Sequence, residues 1–135
     1  MPRPNLIAVF RNTYRQTYDI VAKQNGLVEA KALDPQTYVA PNGASMRPNS
    51  VYQQSLVSWR FRGSDVIVYS VPQGTSLPDD LVLVHERTDH YSLQPAEQMT
   101  IDNLNTKITE FLRANAEVFT RERWLKAYPE ATESS

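Results

Sequence analysis

The chain has no cysteine and only two histidines among its 135 residues. Without thiols there are no disulfides, no thiolate nucleophile, and no zinc-finger or iron–sulfur ligation. His85 and His90 are too few for a three-histidine metal site. Glycine is scarce as well. Gly26, Gly43, Gly63 and Gly74 are the whole set, and their positions spell neither a Walker loop nor a G-x-G-x-x-G turn. Long apolar runs are missing: no window nears the ~20 residues of a membrane-spanning helix, and residues 6–10 are too short a stretch for a signal-peptide core. Nor is charge of one sign in excess. The balance is 14 basic against 15 acidic side chains, net −1, which gives no chain-wide attraction to nucleic acid or acidic lipid. These absences lead to the expectation of a cytoplasmic protein, or of one secreted without a cleavable signal peptide.

What is present is a globular composition, 41% hydrophobic and 10% aromatic. The length suits one domain with its own core, assigned to residues 1–128, and a polar tail at residues 129–135 that is expected to fray. Residues 6–10 read as a buried strand ending at Arg11. Tyr14, Tyr18 and Val21 lie at helical spacing, and residues 27–33 and 38–40 read as strands. Residues 41–50 hold two prolines, a glycine and two asparagines, and are expected to lack regular structure. Ser50 is a candidate N-cap for a helix over residues 51–59. Val66-Ile67-Val68-Tyr69 is the most strand-like run and is expected to be central in its sheet. Residues 81–84 and 90–93 form a hairpin about Thr88-Asp89. Thr100 caps a helix whose apolar stripe is Ile101, Leu104, Ile108, Phe111 and Leu112, and Thr120 starts a last short helix that ends before Pro129. Helices and short strands are interspersed without a parallel βαβ rhythm, so the class is α+β.

Few motifs carry chemistry unaided. His85-Glu86-Arg87-Thr88-Asp89-His90 misses a zinc-protease box by one residue, since its histidines are five apart instead of four. Gly43-Ala44-Ser45-Met46-Arg47 is half of a nucleophile elbow, with only His85 or His90 to serve as a base; neither pattern defines an enzyme. Trp59-Arg60-Phe61-Arg62 interleaves aromatics with arginines, either as a base-stacking and phosphate-binding strip or as a helix end with exposed arginines. Alternation in the second hairpin strand puts His90 and Ser92 on one face, and Tyr91 and Leu93 on the other.

The order of three segments adds to this. A first strand ends in Phe10-Arg11. The loop Pro41-Asn42-Gly43-Ala44-Ser45 follows. Then Val71-Pro72-Gln73-Gly74-Thr75-Ser76-Leu77-Pro78-Asp79-Asp80-Leu81 leads to His90-Tyr91-Ser92-Leu93-Gln94-Pro95-Ala96. Over roughly residues 6–126 this arrangement resembles the Tse2 family of type VI secretion toxins and its fungal relatives. The resemblance implies an ADP-ribosyltransferase-like fold, with two small facing antiparallel sheets, peripheral helices and a cleft for NAD. It assigns Arg11, Gly43, Ser45 and Tyr91 to NAD binding and Ser45 and His90 to catalysis, with no metal. Tyr52 is a second ring that could flank nicotinamide. Glu97 is the nearest candidate for the glutamate that such transferases use on the ribose. The implied function is a cytotoxic, NAD-dependent transferase or NAD glycohydrolase acting in the cytosol of a target cell. Its acceptor would be a macromolecule or water, and a bacterial producer would carry an immunity protein. The alternatives are an inactive relative that binds a partner through the same groove, and a nucleic-acid-acting toxin that uses Arg47, Arg60 and Arg62.

Overall fold

The computed structural model describes residues 5–12, 18, 26–28 and 43–133. Apart from Tyr18, the expected helical residues at 14–21 lie outside these, as do the strand at 38–40 and the second part of the strand at 27–33. The described chain mixes α and β structure in small antiparallel sheets. Strands β1 (Leu6–Arg11), β4 (Val66–Val71) and β8 (Glu117–Thr120) make a three-stranded sheet in the order β1-β4-β8, so the run of β-branched residues is central as expected. Strands β3 (Ala44–Met46), β6 (His90–Pro95) and β5 (Leu81–Arg87) make a second, in the order β3-β6-β5. A two-stranded ribbon pairs β2 (Leu27–Val28) with β7 (Met99–Thr100).

The helices follow their sequence signals. Ser50 caps α1 (Val51–Ser55) by accepting from the Gln53 backbone N–H at 3.1 Å. A π-helical turn, Leu56–Arg60, continues α1. There Arg121 donates from Nε to the Val57 carbonyl and from Nη2 to that of Ser58, at 2.7 and 2.9 Å. Thr100 and Thr120 cap α2 (Ile101–Asn115) and α3 (Arg121–Ala127) in the same way as Ser50. Leu104, Ile108, Phe111 and Leu112 of α2 are buried as the stripe requires.

Two cores sit on opposite sides of the first sheet. Alternation along β1 sends Leu6, Ala8 and Phe10 into the larger core with α2, and Ile7 into the smaller one with Val57, Val68, Phe119 and Trp124. The second sheet gives Ala44, Met46, Leu81 and Leu93 to the larger core, so both three-stranded sheets turn a face to the same apolar interior. The sheets are joined at one place. Ile7 and Arg47 exchange both backbone hydrogen bonds, at 2.6 and 2.9 Å, and these are the only backbone bonds between β1 and β3 among the described residues.

Three expectations need correction. The segment at residues 41–50 is not free of regular structure, because Ala44–Met46 pairs with Leu93, Ser92 and Tyr91 of β6, and Pro48 follows the paired residues. Gly43, placed by the sequence in a turn like the other three glycines, does not share their positive φ. It enters β3 buried, and a Cβ there would run into the Leu93 carbonyl, so it permits close approach of two backbones. The tail is tied down as far as Glu133. The Thr132 and Glu133 N–H groups both donate to the Asn49 carbonyl (2.9 and 3.0 Å), and Asn49 Nδ2 donates to Glu130 O at 3.1 Å. Strand β8 had no counterpart in the sequence reading.

Candidate active site

Register decides which side chains share the site face. Residues directly opposite in an antiparallel pair point the same way, and every second residue along a strand repeats that direction. Ile7 opposes Arg47, so Arg11 on β1, Ser45 on β3 and Arg47 just beyond β3 share one face. Ser45 opposes Ser92, which adds His90, Ser92 and Gln94 of β6. Ser92 opposes Val84, which adds Glu86 of β5. The opposite face carries Ala44, Met46, Leu93 and Tyr91 and packs on the larger core.

Hydrogen bonds link the polar face into a chain. Ser45 Oγ lies 3.1 Å from His90 Nε2, and His90 Nδ1 lies 2.8 Å from Glu86 Oε2. Ser92 Oγ donates to Glu86 Oε1 at 2.9 Å, and Gln94 Nε2 donates to Ser92 Oγ at 2.7 Å. An ionised carboxylate only accepts, so the tautomer that fits has the proton on Nδ1 and leaves Nε2 to accept from the Ser45 hydroxyl. Burial lowers the His90 pKa from its ordinary value, and Arg47 and Arg87 lower it further; Glu86 opposes them. The neutral imidazole is therefore the form present near pH 7. His90 is 3% exposed and Ser92 and Gln94 are 0%, while Ser45 is partly open. The hydroxyl is thus the accessible end of a chain whose other members are enclosed.

Glu86 owes its position to a β-bulge. His85 opposes Tyr91 and Arg87 opposes His90, so Glu86 is the extra residue between them and bends onto the imidazole. Alternation alone gave no signal for this: a turn at Thr88-Asp89 pairs Arg87 with His90, and an unbroken ladder from there would set Glu86 across from Tyr91. Among the described residues no group of His, Asp and Glu could hold a metal ion. His85 stacks on Tyr91 at 4.2 Å, and its Nε2 lies 2.8 Å from the Thr88 carbonyl.

The rim carries charge and an aromatic ring. The Arg47 guanidinium lies 4.6 Å from the centre of the Tyr52 ring, and Arg47 Nε is 3.6 Å from Asp89 Oδ2. Asp89 is held in turn by the Ser50 hydroxyl at 2.7 Å, so the N-cap of α1 also anchors this edge. Burial lowers the Arg47 pKa against the opposing pull of Asp89, yet a guanidinium stays charged at any working pH. Arg11 ends β1 on the same face, exposed, four residues beyond the Ile7 junction. Strand rise puts it about 13 Å along from that junction.

Of the residues singled out in the sequence, Ser45 and His90 are thus in direct contact. Arg11 is on their face but at a distance along β1. Gly43 leads into Ser45 with its α-carbon against β6. Tyr91 is on the opposite face, whereas Tyr52 is on this side. Glu97 is exposed beyond the end of β6. Trp59 is 66% exposed, with the Arg62 guanidinium 4.3 Å above its ring.

The model of the Tse2 ADP-ribosyltransferase toxin family matches residues 5–124, and the chain belongs to that family. Beyond the family model, no curated protein and no solved structure matches it significantly. Among the described residues no helix is long and apolar enough to cross a membrane.

Proposed function

We propose that the domain is an NAD-dependent ADP-ribosyltransferase-like toxin acting in the cytosol of its target cell, with its reacting centre at Ser45, His90 and Glu86. The observation that carries this reading is the buried chain from Ser45 Oγ through His90 to Glu86, on one face with Arg11. Family membership supplies the reaction class, and the chain supplies a neutral base beside a hydroxyl. The ADP-ribosyltransferase-like arrangement of two sheets is part of the same proposal; two three-stranded sheets meeting at one bridge are compatible with it.

The donor set fits a dinucleotide. Arg11 and Arg47 offer planar forks suited to a pyrophosphate. Ser45 offers the accessible hydroxyl to the ribose, with the His90 imidazole enclosed behind it. Tyr52 is the aromatic ring on this side, already engaging a cation through its π face, which suits a positively charged nicotinamide ring. Tyr91, which the family resemblance assigns to the cofactor, acts from behind β6 by holding it to His85. When bound, NAD supplies a glycosidic bond whose cleavage transfers ADP-ribose.

The residues of the chain then have separate tasks. Arg11 and Arg47 orient the anionic part. Enclosure of His90, Ser92 and Gln94 limits water near the reacting bond. His90 Nε2 accepts a proton from the attacking hydroxyl, and Glu86 stabilises the imidazolium that forms. A bacterial producer needs an immunity protein, and the Arg11–Ser45–Arg47 face is where such a partner would block the site. Calorimetric titration with NAD, together with expression in a susceptible cell, tests the proposal. Binding that weakens in Arg11→Ala, and growth arrest relieved by His90→Ala at equal abundance, support it. No heat at millimolar NAD with folded protein removes NAD from it.

A further inference from the structure

The chain of hydrogen bonds has a consequence for Ser45 itself. A serine held only for structure would be satisfied by any neighbour. Ser45 instead meets the bare nitrogen of an imidazole whose other nitrogen is fixed by a carboxylate. This is the order nucleophile, base and orienting acid, on a partly open hydroxyl. Glu86 has no latitude to turn away. Its Oε1 accepts from Ser92 and, at 3.4 Å, from Gln94, so the carboxylate is braced on the side away from His90. Three neighbouring strands therefore spend buried polar positions to fix one tautomer of one histidine.

We infer that Ser45 is a nucleophile of this domain and takes an ADP-ribosyl group onto its own Oγ, with Glu86 as the positioning residue for His90. The inference rests on the NAD reading for the donor, but not for the reactivity of Ser45. In the step, the Ser45 Oγ–C1′ bond of the ribose forms and the C1′–nitrogen bond to nicotinamide breaks. The bonding pair stays on the departing ring nitrogen, which becomes neutral. The hydroxyl proton goes to His90 Nε2, and the imidazolium is held by Glu86. One positive charge leaves the pyridinium and one appears on the imidazolium, so charge balances. The product is a toxin carrying one ADP-ribose at its own site.

The lack of cysteine gives a test that needs no NAD. Ser45→Cys introduces the single thiol of the chain. An adjacent imidazole stabilises the thiolate and lowers the thiol pKa below its ordinary ~8.5, whereas burial beside an inert neighbour raises it. The predicted result is iodoacetamide alkylation that titrates at least one unit below 8.5. Adding Glu86→Gln to this background should slow alkylation at pH 7 by about tenfold, the equivalent of one unit. A second arm incubates the wild-type protein with NAD and reads intact mass and the modified peptide. One ADP-ribosyl group on Ser45 is expected, formed at least about 100-fold more slowly in Glu86→Gln, which keeps the shape of the side chain. A thiol titrating at or above 8.5 in a protein with the native fold by circular dichroism overturns the nucleophile. NAD consumed with Ser45 unmodified overturns the self-transfer. An activated thiol in a protein that neither binds nor consumes NAD upholds the nucleophile and overturns the NAD donor.

Discussion

The two faces of the β3–β6–β5 sheet are built from the same three strands and serve opposite ends. On one face Ala44, Met46 and Leu93 are fully buried against Leu6, Ala8 and the stripe of α2. On the other, Ser45, His90, Ser92, Gln94 and Glu86 are joined by hydrogen bonds at 2.7 to 3.4 Å. Each burial of an apolar side chain stabilises the fold by roughly 1.5–3 kcal/mol. A satisfied buried polar network adds little net stability and is costly if one member is removed. The comparison teaches a division of labour by alternation. In the proposed reading odd and even positions of one strand carry chemistry and stability separately, so a substitution on the apolar face should cost stability and spare the activity of each folded molecule, and one on the polar face should remove activity from molecules that stay folded.

The largest break in that comparison comes from His90. His90→Ala should lower transfer activity by about 10²–10⁴-fold, the usual worth of a positioned general base. Thermal unfolding should show a protein that is destabilised, because Glu86 loses its buried partner, but still folded at the assay temperature, so that activity is read per folded molecule. Next is the apolar face. Met46→Ala should cost about 2–5 kcal/mol in denaturant unfolding, with the surviving folded fraction as active per molecule as wild type. If His90→Ala unfolds the protein as much as Met46→Ala does, the two faces are not separable.

A smaller effect is expected at the rim. Arg11→Ala should weaken NAD binding about 10- to 150-fold by calorimetry, the loss of one charge-assisted hydrogen bond worth roughly 1.5–3 kcal/mol. Arg11→Lys should recover only part of this, since an ammonium cannot reproduce the guanidinium fork. The smallest effect is on pH dependence. His90 is surrounded by Arg47, Arg87 and Glu86, and its pKa in the folded protein is lowered by burial first and by the two arginines after it. Below about pH 6.5 the unfolded chain takes up a proton that the folded one resists, so this contribution to stability is present above that pH and is lost as pH falls toward the lowered value. Chemical denaturation at pH 7.5 and 5.5 should show that loss in wild type and less of it in His90→Gln. Activity should hold flat from neutral upward and decline only on the acid side of the ordinary histidine range.

Much of this architecture was legible because the local signals were strong and agreed with one another. The caps at Ser50, Thr100 and Thr120, the stripe of α2, the β-branched run in β4 and the turn at Thr88-Asp89 all lie where their chemistry directs. Ser45 and His90 were assigned to one site through the family resemblance, since spacing alone leaves them 45 residues apart; their contact is a finding of the structure. Other features depend on tertiary contacts that composition does not encode. Strand β3 is short and sits in a proline-rich stretch, so its pairing comes from β6 and not from propensity. Strand β8 is a four-residue addition to the edge of β4. The docking of residues 130–133 depends on the carbonyl and amide of Asn49. Glu86 was missed because a bulge, not a periodicity, delivers it.

The central claim is that the polar face is a reacting centre, and that its members act through His90. The most direct measurement is NAD consumption by purified protein in wild type and in Glu86→Gln, with folding monitored in the same samples by near-UV circular dichroism. The account predicts turnover by wild type and at least a 100-fold loss in the variant at unchanged fold. Turnover that is equal in the two proteins would contradict it.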